Sequence, residues 1–136
     1  MSNIQRLRLP ENDPTFGGNK VFDAFQYAPA VRASGLVFIA GQVGIRPDGT
    51  VPDSVEEQIE LAFTRLGAIL EHEGLGFGNL VELVSYHVRI EEQLDAFRAI
   101  KERFITKDFP AWTILGVASL ARPNLLIEIK AVAAAS

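Results

Sequence analysis

Between Ser54 and Gly74 the chain carries one helical stripe. Val55, Ile59, Ala62, Phe63, Leu66, Ile69 and Leu70 recur at the three- and four-residue spacing that gathers side chains on one side of an α-helix. Ser54-Val55-Glu56-Glu57 has capping-box spacing, in which a serine hydroxyl and a glutamate carboxylate satisfy amide donors at a helix start, and Gly74 is a plausible stop. A second helix is expected over about 92–105, with Leu94, Phe97, Ile100, Lys101 and Phe104 on one mostly apolar side. A helix with a single apolar face must bury it against another element. The segments around these two supply a sheet.

Strand-like stretches lie near 28–33 and 36–43, joined by a turn at Ser34-Gly35. RPDGTVP is a turn-rich connection whose Asp48-Gly49 pair suits positive φ. Residues 80–90, LVELVSYHVRI, alternate Val84, Tyr86 and Val88 on one face with Ser85, His87 and Arg89 on the other, and that polar row needs an explanation. Two closing strands are expected near 112–119 and 125–133. At the front, a short strand is expected at Ile4 to Leu9, then a loop through PENDPTFGGN, with patterned chain from about Val21. The expectation is one α+β domain over residues 1–136, its sheet carrying both helices on one face. The other face needs a partner, and self-association is the solution open to so small a chain.

Composition narrows the functions. The net charge is −4 with no block of Lys or Arg, so phosphate attraction has no obvious source and nucleic acid is not an expected partner. With no cysteine there is no disulfide, thiolate metal site or cysteine nucleophile. The N-terminus lacks the apolar core of a signal peptide, and no apolar run approaches the ~20 residues that span a bilayer; a cytoplasmic protein without membrane contact is expected.

Few residues carry candidate chemistry. His72, in Glu71-His72-Glu73, has no convergent ligand partner and is expected as a solvated helix end. His87 also lacks a local metal-ligating partner, so no metal is expected. GLGFGNL follows a helix instead of a strand and lacks the lysine of a phosphate loop; it is a helix stop and a turn. Gly41 and Gly44, on either side of Gln42 and Val43 at a strand end, leave room for a ligand or another backbone. Glu128 sits in the apolar strand LLIEIKAV, where a carboxylate must be paired, neutralised or exposed. It is either an exposed or ion-paired charge, or a general acid or base with a raised pKa. If strands 80–90 and 125–133 share the uncovered face, His87 and Glu128 meet there.

Taken together, Tyr27, the block LVFIAGQVGIRPDGTVP, the helix EEQIELAFTRLGAILE, the strand LVELVSYHV, the helix LDAFRAIKERF, the FPAWT entry and the closing IEIKAVA resemble the YjgF/RidA (Rid) family over roughly residues 20–133. The resemblance implies a chorismate-mutase-like mixed sheet and a homotrimer with small-metabolite clefts between subunits. It implies no cofactor. The best-known members hydrolyse reactive enamines and imines such as 2-aminoacrylate to keto acids and ammonia; an arginine grips the substrate carboxylate and a glutamate positions or activates water. The glutamate position is matched by Glu128 and the cleft tyrosine by Tyr27. Trp112 stands at the arginine position, Ala40 at the small hydroxyl residue before Gly41-Gln42, and Arg98 at the asparagine of the second helix.

An indole offers one neutral N–H where a guanidinium offers five charged donors, so the carboxylate clamp is gone, a loss that typically costs about 1.5–3 kcal/mol. The combination SYHV, PAWTILGV and IEIKAVA resembles the YjgH-like branch of the family, where a tryptophan also follows the proline. The expected cleft residues are Tyr27, Ala40, Gly41, Gln42, His87, Arg98, Trp112 and Glu128. Glu128 would handle water or a proton, His87 would assist, and Trp112 would stack on a planar or apolar ligand. The implied function is a small-metabolite-binding Rid protein, an imine or enamine hydrolase of altered specificity. The alternatives are a non-catalytic binding protein on the same trimeric scaffold and, less favoured, a ribonuclease or translation inhibitor.

Overall fold

The computed structural model describes residues 3–135. Six strands form one mixed sheet: β1 (Gln5–Arg6), β2 (Ala30–Ala33), β3 (Leu36–Val43), β4 (Leu80–Val88), β5 (Ala111–Val117) and β6 (Ile127–Ala134). Their spatial order is β1-β2-β3-β6-β4-β5. Only β4 and β5 pair in parallel. A parallel pair needs a crossover, and the helix α3 (Leu94–Phe104) supplies it. The β2–β3 hairpin turns at Ser34 and Gly35, both at positive φ (53° and 76°), which matches the twist of the flanking strands.

The long helix α2 (Val55–His72) starts as its sequence predicts, with the Ser54 hydroxyl accepting from the Glu57 amide at 3.2 Å. Its stripe of Ile59, Phe63, Leu66, Ile69 and Leu70 is fully buried. Facing it are Ile127, Ile129, Ala131 and Ala133 of β6, Leu83 of β4, and Phe97 of α3. Each such Leu, Ile or Phe contributes about 1.5–3 kcal/mol by leaving water. Both long helices thus lie on one face, as the one-sided stripes require. The opposite face shows Phe38, Val84, Tyr86, Leu115, Glu128, Lys130 and Val132, a set fixed by the cross-strand pairs Phe38↔Val132, Val84↔Lys130, Tyr86↔Glu128 and Tyr86↔Leu115. Phe38 and Leu115 on it are 47% and 42% exposed.

Three details differ from the sequence reading. The front strand is only two residues long, and a short helix α1 (Lys20–Phe25) follows the expected loop. Six residues are too few to display a stripe; α1 buries Phe22 alone, against Phe16 and Tyr27, and ends at Gln26 in the left-handed conformation. His72 is not simply solvated: its Nε2 lies 2.8 Å from Oδ1 of buried Asp13, whose other oxygen accepts from the Thr15 and Phe16 amides. That clasp ties the N-terminal segment to the end of α2. No helix among the described residues is long and apolar enough to cross a membrane.

Candidate functional site

The polar row of β4 lies on the helix face. Ser85 and His87 pair with Ile129 and Ile127 of β6, and both are wholly buried. Glu128 lies between those isoleucines, so its side chain leaves the other face. His87 and Glu128 therefore do not meet: the sheet separates them, and the shared face expected from alternation is corrected.

His87 is instead one member of a buried hydrogen-bonded chain. The Trp112 Nε1–H donates to Ser85 Oγ at 2.9 Å, and His87 Nε2 lies 2.7 Å from the same oxygen. Gln93 accepts at Oε1 from His87 Nδ1 at 2.9 Å, and its amide nitrogen donates to the carbonyls of Val88 and Leu126 at 2.7 and 2.9 Å. These roles fix the protons. An indole N–H only donates, so the serine hydroxyl is free to donate to Nε2, and imidazole carries its proton on Nδ1. His87 is neutral, and burial pulls its pKa below the ordinary histidine value against an upward pull from Gln93. Phe97 completes the setting, edge-on to His87 at 4.7 Å and stacked on Trp112 at 5.7 Å.

On its outer side Trp112 borders a groove with Asp95, Arg98, Lys101, Glu102, Ile105 and Phe109. The Lys101 ammonium sits 4.6 Å from the indole ring, a cation–π contact, and Phe109 is 72% exposed beside it. Trp112 and Arg98 thus share one groove. The indole is neither a sealed core plug nor a free wall; one edge is anchored inside and one side faces the groove.

The remaining candidates gather around a bulge in β3. The register slips between Ile39 and Gln42, so Ala40 and Gly41 together oppose Lys130. Gln42 turns into the core and donates from Nε2 to the Ala40 carbonyl at 3.1 Å. The Glu128 carboxylate lies against Gly41 so closely that a Cβ there would collide with its Oε2. Burial alone pushes the Glu128 pKa above the usual glutamate value. Tyr27, half-exposed on the connection from α1 to β2, lies within electrostatic reach of Glu128 and of Arg65 on α2. Tyr27, Ala40, Gly41, Gln42 and Glu128 are brought together, whereas Trp112 and Arg98 lie beyond β4 on the helix side.

Sequence reasoning missed Ser85 and Gln93. Ser85 was visible as a neighbour of His87 in the alternation. Gln93 follows a 3₁₀ turn over Ile90–Glu92, and nothing in its local sequence marks it as the partner of a strand residue. Among the described residues no cluster of three metal-ligating side chains forms.

Residues 19–135 match the family model described as Endoribonuclease L-PSP. The chain is similar to the RutC family protein YjgH of Escherichia coli (strain K12), 35% identical over 118 residues that cover 86% of this chain and 88% of that protein. It is 30% identical over 109 residues to a 2-iminobutanoate/2-iminopropanoate deaminase of Capra hircus, covering 79% and 78%. A solved structure of protein YJGH superposes with a TM-score of 0.79 at 32% identity, over 92% of this chain and 97% of that one.

Proposed function

This chain belongs to the YjgF/RidA family, and from that premise we propose that it binds a small metabolite in a cleft between copies of itself and hydrolyses a C=N or enamine group there. The observation that carries the reading is Glu128: a half-buried carboxyl with a raised pKa, set over a residue that has no side chain. A carboxyl in that state takes a proton from an attacking water and returns one to nitrogen. The water oxygen bonds to the imine carbon, the C–N bond breaks, and carbonyl and ammonia leave.

The eight candidates divide into two half-sites that one chain does not join. A homotrimer brings the Tyr27, Ala40, Gly41 and Glu128 half of one subunit against the Trp112 and Arg98 half of its neighbour. The exposed apolar groups of the open face supply area for that assembly. In this arrangement His87 is a positioning residue: through Ser85 it holds the indole that the ligand meets. Gln42 braces the bulge from beneath. Trp112 cannot grip a carboxylate as a guanidinium does, so the substrate differs from that of the imine deaminases.

The test is ammonia release from a panel of small imines and enamines generated in situ. The wild type should exceed a Glu128→Ala control for at least one substrate. Equal rates throughout would sink the enzyme reading in favour of a non-catalytic binding protein, which Trp112 and Ala40, both without the usual polar group, independently favour. A ribonuclease role meets the net charge of −4 as an obstacle. Failure to bind single-stranded RNA even at low salt would retire it.

A further inference from the structure

Lys101, half-buried on α3, holds its ammonium in the groove beside Trp112, 4.6 Å from the indole ring and 6.0 Å from the centroid of the Phe109 ring. Asp95 and Glu102 line the same groove, yet among the described residues Lys101 forms no ion pair. The cation rests on aromatic faces in place of a carboxylate. Those faces carry the negative end of the ring quadrupole, which draws positive charge. The hold is weak, however: burial first and the Arg98 charge second pull the Lys101 pKa below the ordinary lysine value, while Glu102 pulls it back.

A different cation suits the site better. A primary ammonium is compact and strongly hydrated, so it gives up much solvation to lie on a ring. An alkylated ammonium spreads its charge, loses less water and covers more of the aromatic surface. The groove has about 400 Å³ to receive one, and Phe109 is 72% exposed at its side. With Lys101 turned out to solvent, the lining keeps two carboxylates, Asp95 and Glu102, against one guanidinium, the exposed Arg98. We propose that this groove binds a small alkylated ammonium ion, which displaces Lys101 from Trp112 and Phe109, so that Lys101 is a built-in competitor for the site. The inference rests on the reading of the Trp112 half-site as ligand-binding, and it gives that half-site a ligand group opposite in charge to a carboxylate.

The test uses the full chain, with choline as the cation and 3,3-dimethyl-1-butanol as its uncharged isostere, followed by calorimetric titration and by emission of the sole tryptophan. Wild type should bind choline roughly threefold to thirtyfold more tightly than the alcohol, with a change in emission for choline. Lys101→Met should tighten choline binding by roughly threefold or more and leave the preference for the cation in place. Phe109→Leu, at an exposed position, should weaken choline roughly threefold and leave the alcohol nearly unchanged. Arg103→Gln, on the exposed side of α3 and outside the groove, should change neither ligand. Equal affinity for choline and the alcohol makes the groove merely apolar and overturns the proposal. Choline binding that Lys101→Met leaves unchanged or weakens overturns the displacement, and an unchanged affinity in Phe109→Leu moves the cation off the aromatic pair and overturns it too. If neither wild type nor Lys101→Met binds choline while ammonia release from the imine panel still depends on Glu128, this inference falls alone; loss of both takes the half-site reading with it.

Discussion

Two polar groups on adjacent strands of one sheet, His87 and Glu128, have opposite circumstances. His87 faces the helices in a chain where every donor has an acceptor, from the Trp112 indole to the two carbonyls held by Gln93. Glu128 faces outward, and its pKa moves through burial alone, with no hydrogen bond pulling it back. A satisfied polar group holds structure in place, while an unsatisfied one at a surface is available for a ligand. The difference shows why the histidine, chemically the more versatile residue, is the less plausible reagent.

The sharpest way to break that contrast is at Gln93. Gln93→Ala strips a partner from buried His87 and from two part-buried carbonyls, of which that of Leu126 keeps the Val88 amide, and should lower stability by about 2–4 kcal/mol in urea titration. A loss under 1 kcal/mol would mean the chain is not a structural unit. Ser85→Ala removes the acceptor of Trp112 and the donor to His87, for a loss of about 1–3 kcal/mol. Emission from the sole tryptophan should shift with it; an unchanged spectrum would show the indole positioned by Phe97 alone.

On the outward face stability and function should separate. Gly41→Ala forces Glu128 aside and should abolish ligand binding or turnover at a stability change of about 1 kcal/mol or less, because the displaced group is a side-chain end. The smallest effect belongs to Glu128→Gln. A raised carboxyl pKa means that the folded state binds more protons than the unfolded one, so stability is greatest below the ordinary glutamate value and is lost as pH rises through the folded pKa. Glu128→Gln should therefore match or slightly exceed wild-type stability at neutral pH, by under about 1 kcal/mol, with the gain vanishing in acid. His87 runs the other way: its lowered pKa makes stability fall as pH drops below about 6.5, the ordinary histidine value. An acid-insensitive melting temperature between pH 6.5 and 5 would contradict it.

The fold was largely legible because its signals are local. The α2 stripe, the Ser54 cap, the Ser34-Gly35 turn and the alternation of β4 each sit within a few residues. Membership of the family could also be read, since its motifs fall in order along the chain. The site was harder. Alternation divides Ser85 and His87 from Val84 and Tyr86 but does not say which row meets the helices, and polarity suggested the wrong one. What reversed it was Gln93, brought under β4 by a turn, which makes a polar row tolerable inside.

The strand order carries one more consequence. β6 follows every other strand in the chain yet lies in the middle of the sheet, between β3 and β4. During synthesis the N-terminal hairpin with its helix and the β4-α3-β5 crossover emerge as two separate pieces, each with an unpaired edge, and neither can close on the other until residues 127–134 leave the ribosome. Completion of the sheet and delivery of Glu128 are then the same event, so a nascent chain holds no half-built outer face: the carboxyl arrives on the last strand of the framework that supports it.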